Sequence, residues 1–197
     1  MKQFEAFDPA VRVLAYGVEA LVDAVSVNYK TKVENILRQQ GITPKVARAH
    51  IPWQQELDVY RQVSELLGNA TLRRMGLSIA KKIPVAMEFP DLETALKNLN
   101  EIYKTTHTGG NVGYYRLTKY DEENGEAEMV CFNPYPGHFD QGLILGFVDR
   151  FKSKDAMRSA IEPISGGPCR EEDGGAKSTY RITWETFAIR QRRLKGK

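Results

Sequence analysis

Cysteine is scarce in this sequence, with only Cys131 and Cys169 among 197 residues. Two thiols are too few for a disulfide framework, and they lack the close Cys and His spacing of a structural zinc site, so we expect both to be reduced. The chain also has no apolar run of the roughly 20 residues that span a bilayer, and its first residues do not form a signal-peptide pattern. These absences predict a cytoplasmic protein without a membrane span.

An excess of charge of one sign is also missing, since the formal net charge is +3. Phosphate binding needs a concentrated basic patch rather than a small global excess, so we expect no nucleic-acid partner. The dense basic cluster of the chain occupies residues 188–197. We predict that it is a solvated, partly disordered tail that follows a single domain of residues 1–187.

Motifs of the common enzyme classes are absent as well. The sequence contains no nucleophile elbow, no phosphate-binding glycine loop, no dinucleotide fingerprint and no H-E-x-x-H metal motif. Nothing in the sequence requires an enzyme, and we do not expect one.

What the sequence does contain, in residues 1–108, is apolar residues at helical spacing. Asp8 followed by Pro9 is typical of a helix start, and Gly41, Gly68 and Pro84 are typical of helix ends. The predicted helices run from Pro9 to about Val25, from about Lys32 to Gln40, from Pro52 to Leu67, through Met75 and Ile79, and from Asp91 to about Tyr103.

Residues 109–187 change to an aromatic and β-branched composition that predicts a sheet. Asn124 and Gly125 suit a hairpin turn, and a helix through residues 139–151 carries Gly142 and Gly146, which would let another backbone approach closely. The chain is therefore predicted to be α+β, with an N-terminal helical half followed by a mostly antiparallel sheet with an inserted helix. The predicted strands are Tyr114–Tyr120, Glu126–Phe132, Ala160–Ile164 and Tyr180–Trp184.

Two short runs in this order are informative. Asn98-Leu99-Asn100-Glu101-Ile102-Tyr103 lies on a predicted helix, and Phe132-Asn133-Pro134-Tyr135-Pro136 follows the hairpin, just before the glycine-containing helix. This arrangement resembles the superfamily that contains haem nitric-oxide/oxygen-binding (H-NOX) domains, vinyl-4-reductase domains and transport-particle subunits of Golgi trafficking. In H-NOX domains an N-L-D-N-L-H run supplies the iron ligand, and a Y-x-S-x-R motif holds the haem propionates.

The chain departs from both H-NOX motifs. Tyr103 stands where the resemblance places the ligand histidine, and the second run lacks the tyrosine, serine and arginine. Proline cannot replace the bidentate bond of arginine to a carboxylate, so haem is not expected to bind in the usual H-NOX manner. Tyrosinate can ligate ferric iron and His107 follows one helical turn later, so the resemblance leaves open a modified site for haem or another tetrapyrrole.

The end of the chain is more similar to vinyl-4-reductase domains. Ser178 falls near the second cysteine of their C-R-x-x-G-A-x-x-C-x-Y-x-x-x-W-like signature, so a two-thiolate metal site is not implied and any metal stays unknown. Arg170 favours a reactive thiolate at Cys169, which we therefore keep as a candidate ligand-binding or redox residue. The residues that fit the signature are Cys169, Arg170, Gly175, Ala176, Tyr180 and Trp184.

Polar and aromatic residues of the second half suggest where a ligand would lie. Tyr103 and His107 are helical i, i+4 neighbours on an interior line, and Tyr115, Phe132 and Tyr135 are candidates to wall an apolar cavity between helices and sheet. Aromatic residues on strands more often simply fill a core, and the alternative is a filled aromatic core in which the Tyr103 hydroxyl is hydrogen-bonded.

The resemblance implies a sensory domain that holds a small hydrophobic ligand, either apolar or tetrapyrrole-like. Such a domain would act in signalling, with a partner protein or as a homodimer. Two alternatives remain from the same resemblance. One is a dimeric scaffold or adaptor of the trafficking-subunit type, and the other is a vinyl-reductase-like accessory of tetrapyrrole metabolism.

Overall fold

The computed structural model describes residues 3–43, 49–82, 89–164 and 177–195. These residues form an α+β fold, as predicted, with most of the helices in the first half of the chain. The helices are α1 (Tyr16–Ala24), α2 (Val27–Gln39), α3 (Trp53–Leu67), α4 (Asn69–Lys82), α5 (Leu92–Thr106), α6 (Gly137–Phe151) and α7 (Phe187–Lys195). The strands are β1 (Arg12–Leu14), β2 (His50–Pro52), β3 (His107–Thr108), β4 (Tyr114–Asp121), β5 (Glu126–Phe132), β6 (Arg158–Pro163) and β7 (Lys177–Glu185).

The predicted first helix is wrong at its start, where the chain forms strand β1 instead. Val11 and Val13 are buried while Arg12 is exposed, which is the alternation of a strand. Strand β1 pairs antiparallel with both β2 and β3 in a three-stranded sheet of order β2-β1-β3. The apolar residues of this segment fit the period of a helix as well as that of a strand. Only the strand partners, which come from distant parts of the chain, decide between the two structures.

The other predicted helices of the first half are confirmed, although α2 begins earlier than predicted and the expected stop at Pro84 lies outside the described residues. Gly41 and Gly68 follow α2 and α3 with φ angles of 69° and 78°, the left-handed conformation that glycine adopts readily. Helix α5 begins after Asp91, whose side chain accepts a hydrogen bond from the Thr94 backbone N–H at 2.7 Å.

The second half forms a four-stranded antiparallel sheet of order β4-β5-β7-β6. Strands β4 and β5 are the predicted hairpin, and Gly125 in its turn has a φ of 67°. Along β5 every second side chain is buried, namely Ala127, Met129 and Cys131, so this face of the sheet turns towards the helices. Burial makes Cys131 a small apolar core residue, as predicted.

Helix α6 covers the sheet and crosses α4 at close range, which confirms the role predicted for its two glycines. A Cβ atom added at Gly142 would overlap the carbonyl oxygen of Arg73, and one added at Gly146 would lie 2.5 Å from the Cβ of Ala80. Gly76 of α4 is equally restricted, because an added Cβ would overlap the Phe139 carbonyl oxygen. The two backbones are therefore in direct contact along this crossing.

Helix α7 was not predicted, because its basic composition suggested a solvated tail. Its residue Ile189 is only 3% exposed, and its Cδ1 lies against Gly125 of the hairpin. The division at residue 187 stays a prediction. None of the helices in the described parts of the chain is both long enough and apolar enough to cross a bilayer.

Candidate functional site

A cavity of about 60 Å³ lies between the helices and the sheet, at the place where a ligand site was predicted. Its apolar wall includes Val13 of β1, Leu99 of α5 and Leu143 of α6. The polar residues that line the cavity are Glu56, Tyr60, Tyr103, Thr106, His107, Tyr115 and Tyr135.

The structure brings most of the predicted site residues together. Phe132 does not join them, because on β5 it points away from the buried face that carries Cys131, and its ring contacts Phe7 and Tyr114 instead. Cys169 lies outside the described residues. The predicted residues that line the cavity are Tyr103, His107, Tyr115 and Tyr135.

Glu56 is a carboxyl group inside the core, with 3% of its surface exposed. Its Oε1 accepts a hydrogen bond from the Tyr60 hydroxyl at 3.0 Å, and its Oε2 lies 2.7 Å from the Tyr135 hydroxyl oxygen. Burial raises the pKa of Glu56 from 4.5 to about 7, although both hydroxyl groups favour the ionised form. The same burial, with the nearby carboxyl, raises the pKa of Tyr60 and Tyr135 well above 10.

His107 connects Tyr135 to the end of helix α5. Its Nε2 lies 2.8 Å from the Tyr135 hydroxyl oxygen, and its Nδ1 lies 2.8 Å from the carbonyl oxygen of Tyr103. Burial lowers the pKa of His107 to about 4, so the ring is neutral at physiological pH. Helix α5 ends at Thr106, yet His107 stays beside Tyr103, with 4.3 Å between the ring centroids. Both residues face the interior, as the sequence predicted.

The Tyr103 hydroxyl is already engaged, because it donates a 2.5 Å hydrogen bond to the carbonyl oxygen of Val112. This is the arrangement expected of a core aromatic residue with a bonded hydroxyl. The Tyr103 ring also meets the Tyr115 ring edge-on, with 5.0 Å between centroids. Tyr103 therefore contributes a ring, rather than a free hydroxyl, to the cavity wall.

A second buried carboxyl group lies behind the cavity. Asp140, in the first turn of α6, has no exposed surface, and its Oδ1 accepts a 2.5 Å hydrogen bond from the Tyr115 hydroxyl. The Asn133 amide lies 3.4 Å from both carboxyl oxygens of Asp140. Burial and the Asp140 charge raise the pKa of Tyr115 well above 10. This second cluster anchors one wall of the cavity.

Three residues of these clusters were not predicted from the sequence, namely Glu56, Tyr60 and Asp140. A signal for the first was present, because Glu56 precedes Tyr60 by four residues and Leu57 by one within an apolar helical stripe. A carboxyl group on the inward line of a helix is uncommon unless it is hydrogen-bonded inside the protein. Asp140 lies in the same way between Phe139 and the apolar positions of α6.

The residues of the cavity do not fit a haem. Pockets for drug-sized ligands have volumes of roughly 300–1,000 Å³, and haem is not smaller than such ligands, whereas this cavity measures about 60 Å³. The Tyr103 hydroxyl and both ring nitrogens of His107 are occupied by hydrogen bonds within the protein. In the described part of the chain, no group of three or more His, Cys, Asp or Glu side chains is placed to hold a metal ion.

Comparison with known proteins identifies the architecture. No protein-family model matches the chain, and no curated protein sequence does. Solved structures do match. An oxygen-binding H-NOX domain related to soluble guanylate cyclases, in its oxygen complex, superposes with a TM-score of 0.58 and 19% identity, over 88% of this chain and 93% of that one.

Two further structures give the same result. A variant of the T. tengcongensis H-NOX domain has a TM-score of 0.59 and 18% identity, over 88% of this chain and 98% of that one. A structure from work on the mechanism of H-NOX activation has a TM-score of 0.59 and 19% identity, over 87% of this chain and 94% of that one. At this level of identity the similarity concerns the backbone arrangement. The chain therefore has an H-NOX-like fold.

Proposed function

We propose that this protein is a sensory domain that binds a small molecule directly in the cavity between its helices and its sheet, without haem. The observation that supports the proposal is the cavity itself, which is walled by apolar side chains and by a buried set of ionisable groups. Ionisable groups with strongly displaced pKa values in a cavity are characteristic of functional sites.

The size of the cavity limits the ligand. One water molecule needs about 10–15 Å³ of such volume, so a cavity of about 60 Å³ admits a molecule of a few non-hydrogen atoms. A tetrapyrrole is far larger than this limit, and the proposal therefore concerns a small ligand.

A route for the signal is present in the same region. Val13 of β1 lines the cavity and pairs with His107 of β3 in the three-stranded sheet. A ligand that moves His107 would thus change the pairing of β1, and two packings of such an interface can act as a switch.

Xenon tests whether the cavity is accessible, because it enters dry apolar cavities without specific chemistry. Methyl NMR spectra recorded under xenon pressure should show shifts at Leu99 and Leu143, which line the cavity, and none at Leu37, which is buried elsewhere. Leu99→Phe, which fills the cavity, should abolish the shift at Leu143. Equal shifts at all three leucines, or no shift at Leu99 and Leu143, would contradict the proposal.

A further inference from the structure

Glu56 is a buried carboxyl group that forms no ion pair with any residue the structure describes. Its carboxyl oxygens are hydrogen-bonded to two hydroxyl groups, those of Tyr60 and Tyr135. Among the described residues that line the cavity there is no lysine or arginine. An ionised carboxylate in this place would be costly unless a positive charge joined it. The cavity beside Glu56 is therefore a place where a cation would be stabilised.

The hydrogen bonds of Tyr135 define the resting state of this cluster. The Tyr103 carbonyl can only accept, so the Nδ1 of His107, 2.8 Å away, carries a hydrogen, and Nε2 of the neutral ring is an acceptor. The Tyr135 hydroxyl then donates to Nε2 across 2.8 Å. The Tyr135 hydroxyl can instead donate to Oε2 of an ionised Glu56 across 2.7 Å; while it donates to Nε2, its oxygen can only accept, and Glu56 is then the protonated donor.

Ionisation of Glu56 reverses the direction of the hydrogen bond between Glu56 and Tyr135. The Tyr135 hydroxyl then donates to Oε2 of the carboxylate instead of to His107, while Tyr60 continues to donate to Oε1. The carboxylate then has two hydroxyl donors, and its remaining lone pairs can accept further hydrogen bonds from a ligand. The cluster is built to support Glu56 in either protonation state.

Aromatic rings surround the same carboxyl group. The ring of Tyr135 lies 5.7 Å from that of Tyr60 and 4.8 Å from that of Phe139, and all three residues line the cavity with Glu56. The faces of such rings attract ammonium groups, and sites that hold alkylammonium ions combine several of them. A metal cation would need more oxygen ligands than one carboxyl group supplies.

We infer that the cavity binds a small primary amine as its ammonium ion, with the Glu56 carboxylate as the counter-ion and the Tyr60, Tyr135 and Phe139 rings around its alkyl chain. This inference rests on the proposed function and names the ligand class of the same site. The volume of about 60 Å³ admits an amine of the size of methylamine or ethylamine.

The proton balance of binding is definite. An ammonium ion that enters from solution displaces the proton of Glu56, which leaves to the buffer, so the ion pair forms with the release of one proton. Once Glu56 is already ionised, binding releases no proton. Since burial holds the pKa of Glu56 at about 7, the apparent affinity for the ammonium ion rises with pH up to about 7 and then levels off.

Other titratable groups around Glu56 come from several of the elements that form the cavity. They are Tyr60 from α3, Tyr103 and His107 from α5 and β3, Tyr135 before α6 and, behind Tyr115 of β4, the Asp140 carboxyl of α6.

Calorimetry with ethylammonium chloride and with ethanol, which has nearly the same shape but no charge, tests the inference. The wild-type protein at pH 6 should bind ethylammonium more tightly than ethanol and should release about one proton, seen as a dependence of the heat on the buffer. Glu56→Gln keeps the hydrogen bonds of the protonated acid and should weaken ethylammonium binding by about ten- to a hundredfold, since a charge-assisted bond is lost. Ethanol binding should not change in this variant.

Glu65→Gln is the matched control, because Glu65 is an exposed carboxylate on the same helix. It should bind ethylammonium like the wild type. Equal binding of ethylammonium and ethanol, or an unchanged affinity in Glu56→Gln, would overturn the inference. If xenon still shifts the Leu99 and Leu143 methyls in that case, the proposed function stands and only the ligand class is wrong; if xenon also fails, the proposed function fails with it.

Discussion

At the scale of single residues, Glu56 and His107 are displaced in opposite directions by the same cause, removal from water. Burial raises the pKa of Glu56 to about 7 and lowers the pKa of His107 to about 4. Between about pH 4 and 7 both residues are thereby neutral, and Tyr135 lies between them at 2.7 and 2.8 Å. Between about pH 4.5 and 6.5, two groups that would be charged in water therefore form a neutral hydrogen-bonded chain inside the protein.

The opposite displacement of the two pKa values predicts how the free energy of unfolding depends on pH in variants that lack one of the two groups. Glu56 stabilises the fold fully below pH 4.5 and loses that contribution as the pH rises to about 7, whereas His107 contributes fully above pH 6.5 and loses its contribution as the pH falls to about 4. In the wild type these two contributions change the free energy of unfolding with pH in opposite directions, and they cancel between about pH 4.5 and 6.5. By linkage each contribution to the free energy of unfolding is about 3 kcal/mol.

Urea denaturation between pH 4 and 8 measures the effect. Relative to the wild type, the free energy of unfolding of Glu56→Gln should rise with pH from about 4.5 to about 7, and that of His107→Gln should fall with pH from about 4 to about 6.5. His50→Gln, at an exposed histidine, should follow the wild type. If the free energy of unfolding of Glu56→Gln and His107→Gln changed with pH in the same direction, the prediction would be wrong.

At the scale of elements, the crossing of α4 and α6 is a contact that tolerates little change. An added methyl group at Gly142 meets backbone, the Arg73 carbonyl oxygen, whereas one at Gly146 first meets a side chain, the Cβ of Ala80. Backbone in a packed helix pair cannot move aside cheaply, but a side chain can be removed.

A pair of alanine variants should separate the two cases. Gly142→Ala and Gly146→Ala should each lower the free energy of unfolding, by about 1–3 kcal/mol, and Gly142→Ala should be the more damaging. Adding Ala80→Gly should restore part of the stability of Gly146→Ala and none of that of Gly142→Ala, as judged by a double-mutant cycle. Rescue of both variants, or of neither, would show that the crossing is looser than described.

The same elements show what the sequence could and could not predict. Helices α3 and α5 and the hairpin follow from local signals, because capping residues, glycines and apolar spacing all agree there. Strand β1 could not be predicted, since its apolar residues fit the helical period as well as the strand period and its partners β2 and β3 are remote in sequence. The close approach of α6 was predicted from Gly142 and Gly146, but not that α4 would be the element it crosses.

At the scale of the whole molecule, the site is assembled from segments far apart in the chain. Glu56 comes from α3, His107 from β3 and Tyr135 from the turn before α6. The inward position of Tyr103 and His107 could be read from helical spacing. The hydrogen bond from Tyr135 to Glu56 spans 79 residues, and no local pattern predicts it.

The whole fold also carries a prediction about haem, because the volume that a macrocycle would need is taken up by side chains. Haemin added to the purified protein should give the absorption spectrum of free haemin without a new Soret band. Tyr103→His, which places an imidazole at this position, should behave in the same way. A sharp Soret band in the wild type that disappears in Tyr103→Phe or His107→Ala would contradict this.

The direct contact between α4 and α6 limits which residues the chain can carry at the crossing. H-NOX structures with this backbone arrangement share only 18–20% of their residues with the chain, so the arrangement is compatible with very different side chains. Gly76 and Gly142 are restricted by the backbone of the opposite helix rather than by any bound molecule. The crossing alone therefore holds both places to glycine, whatever the cavity binds.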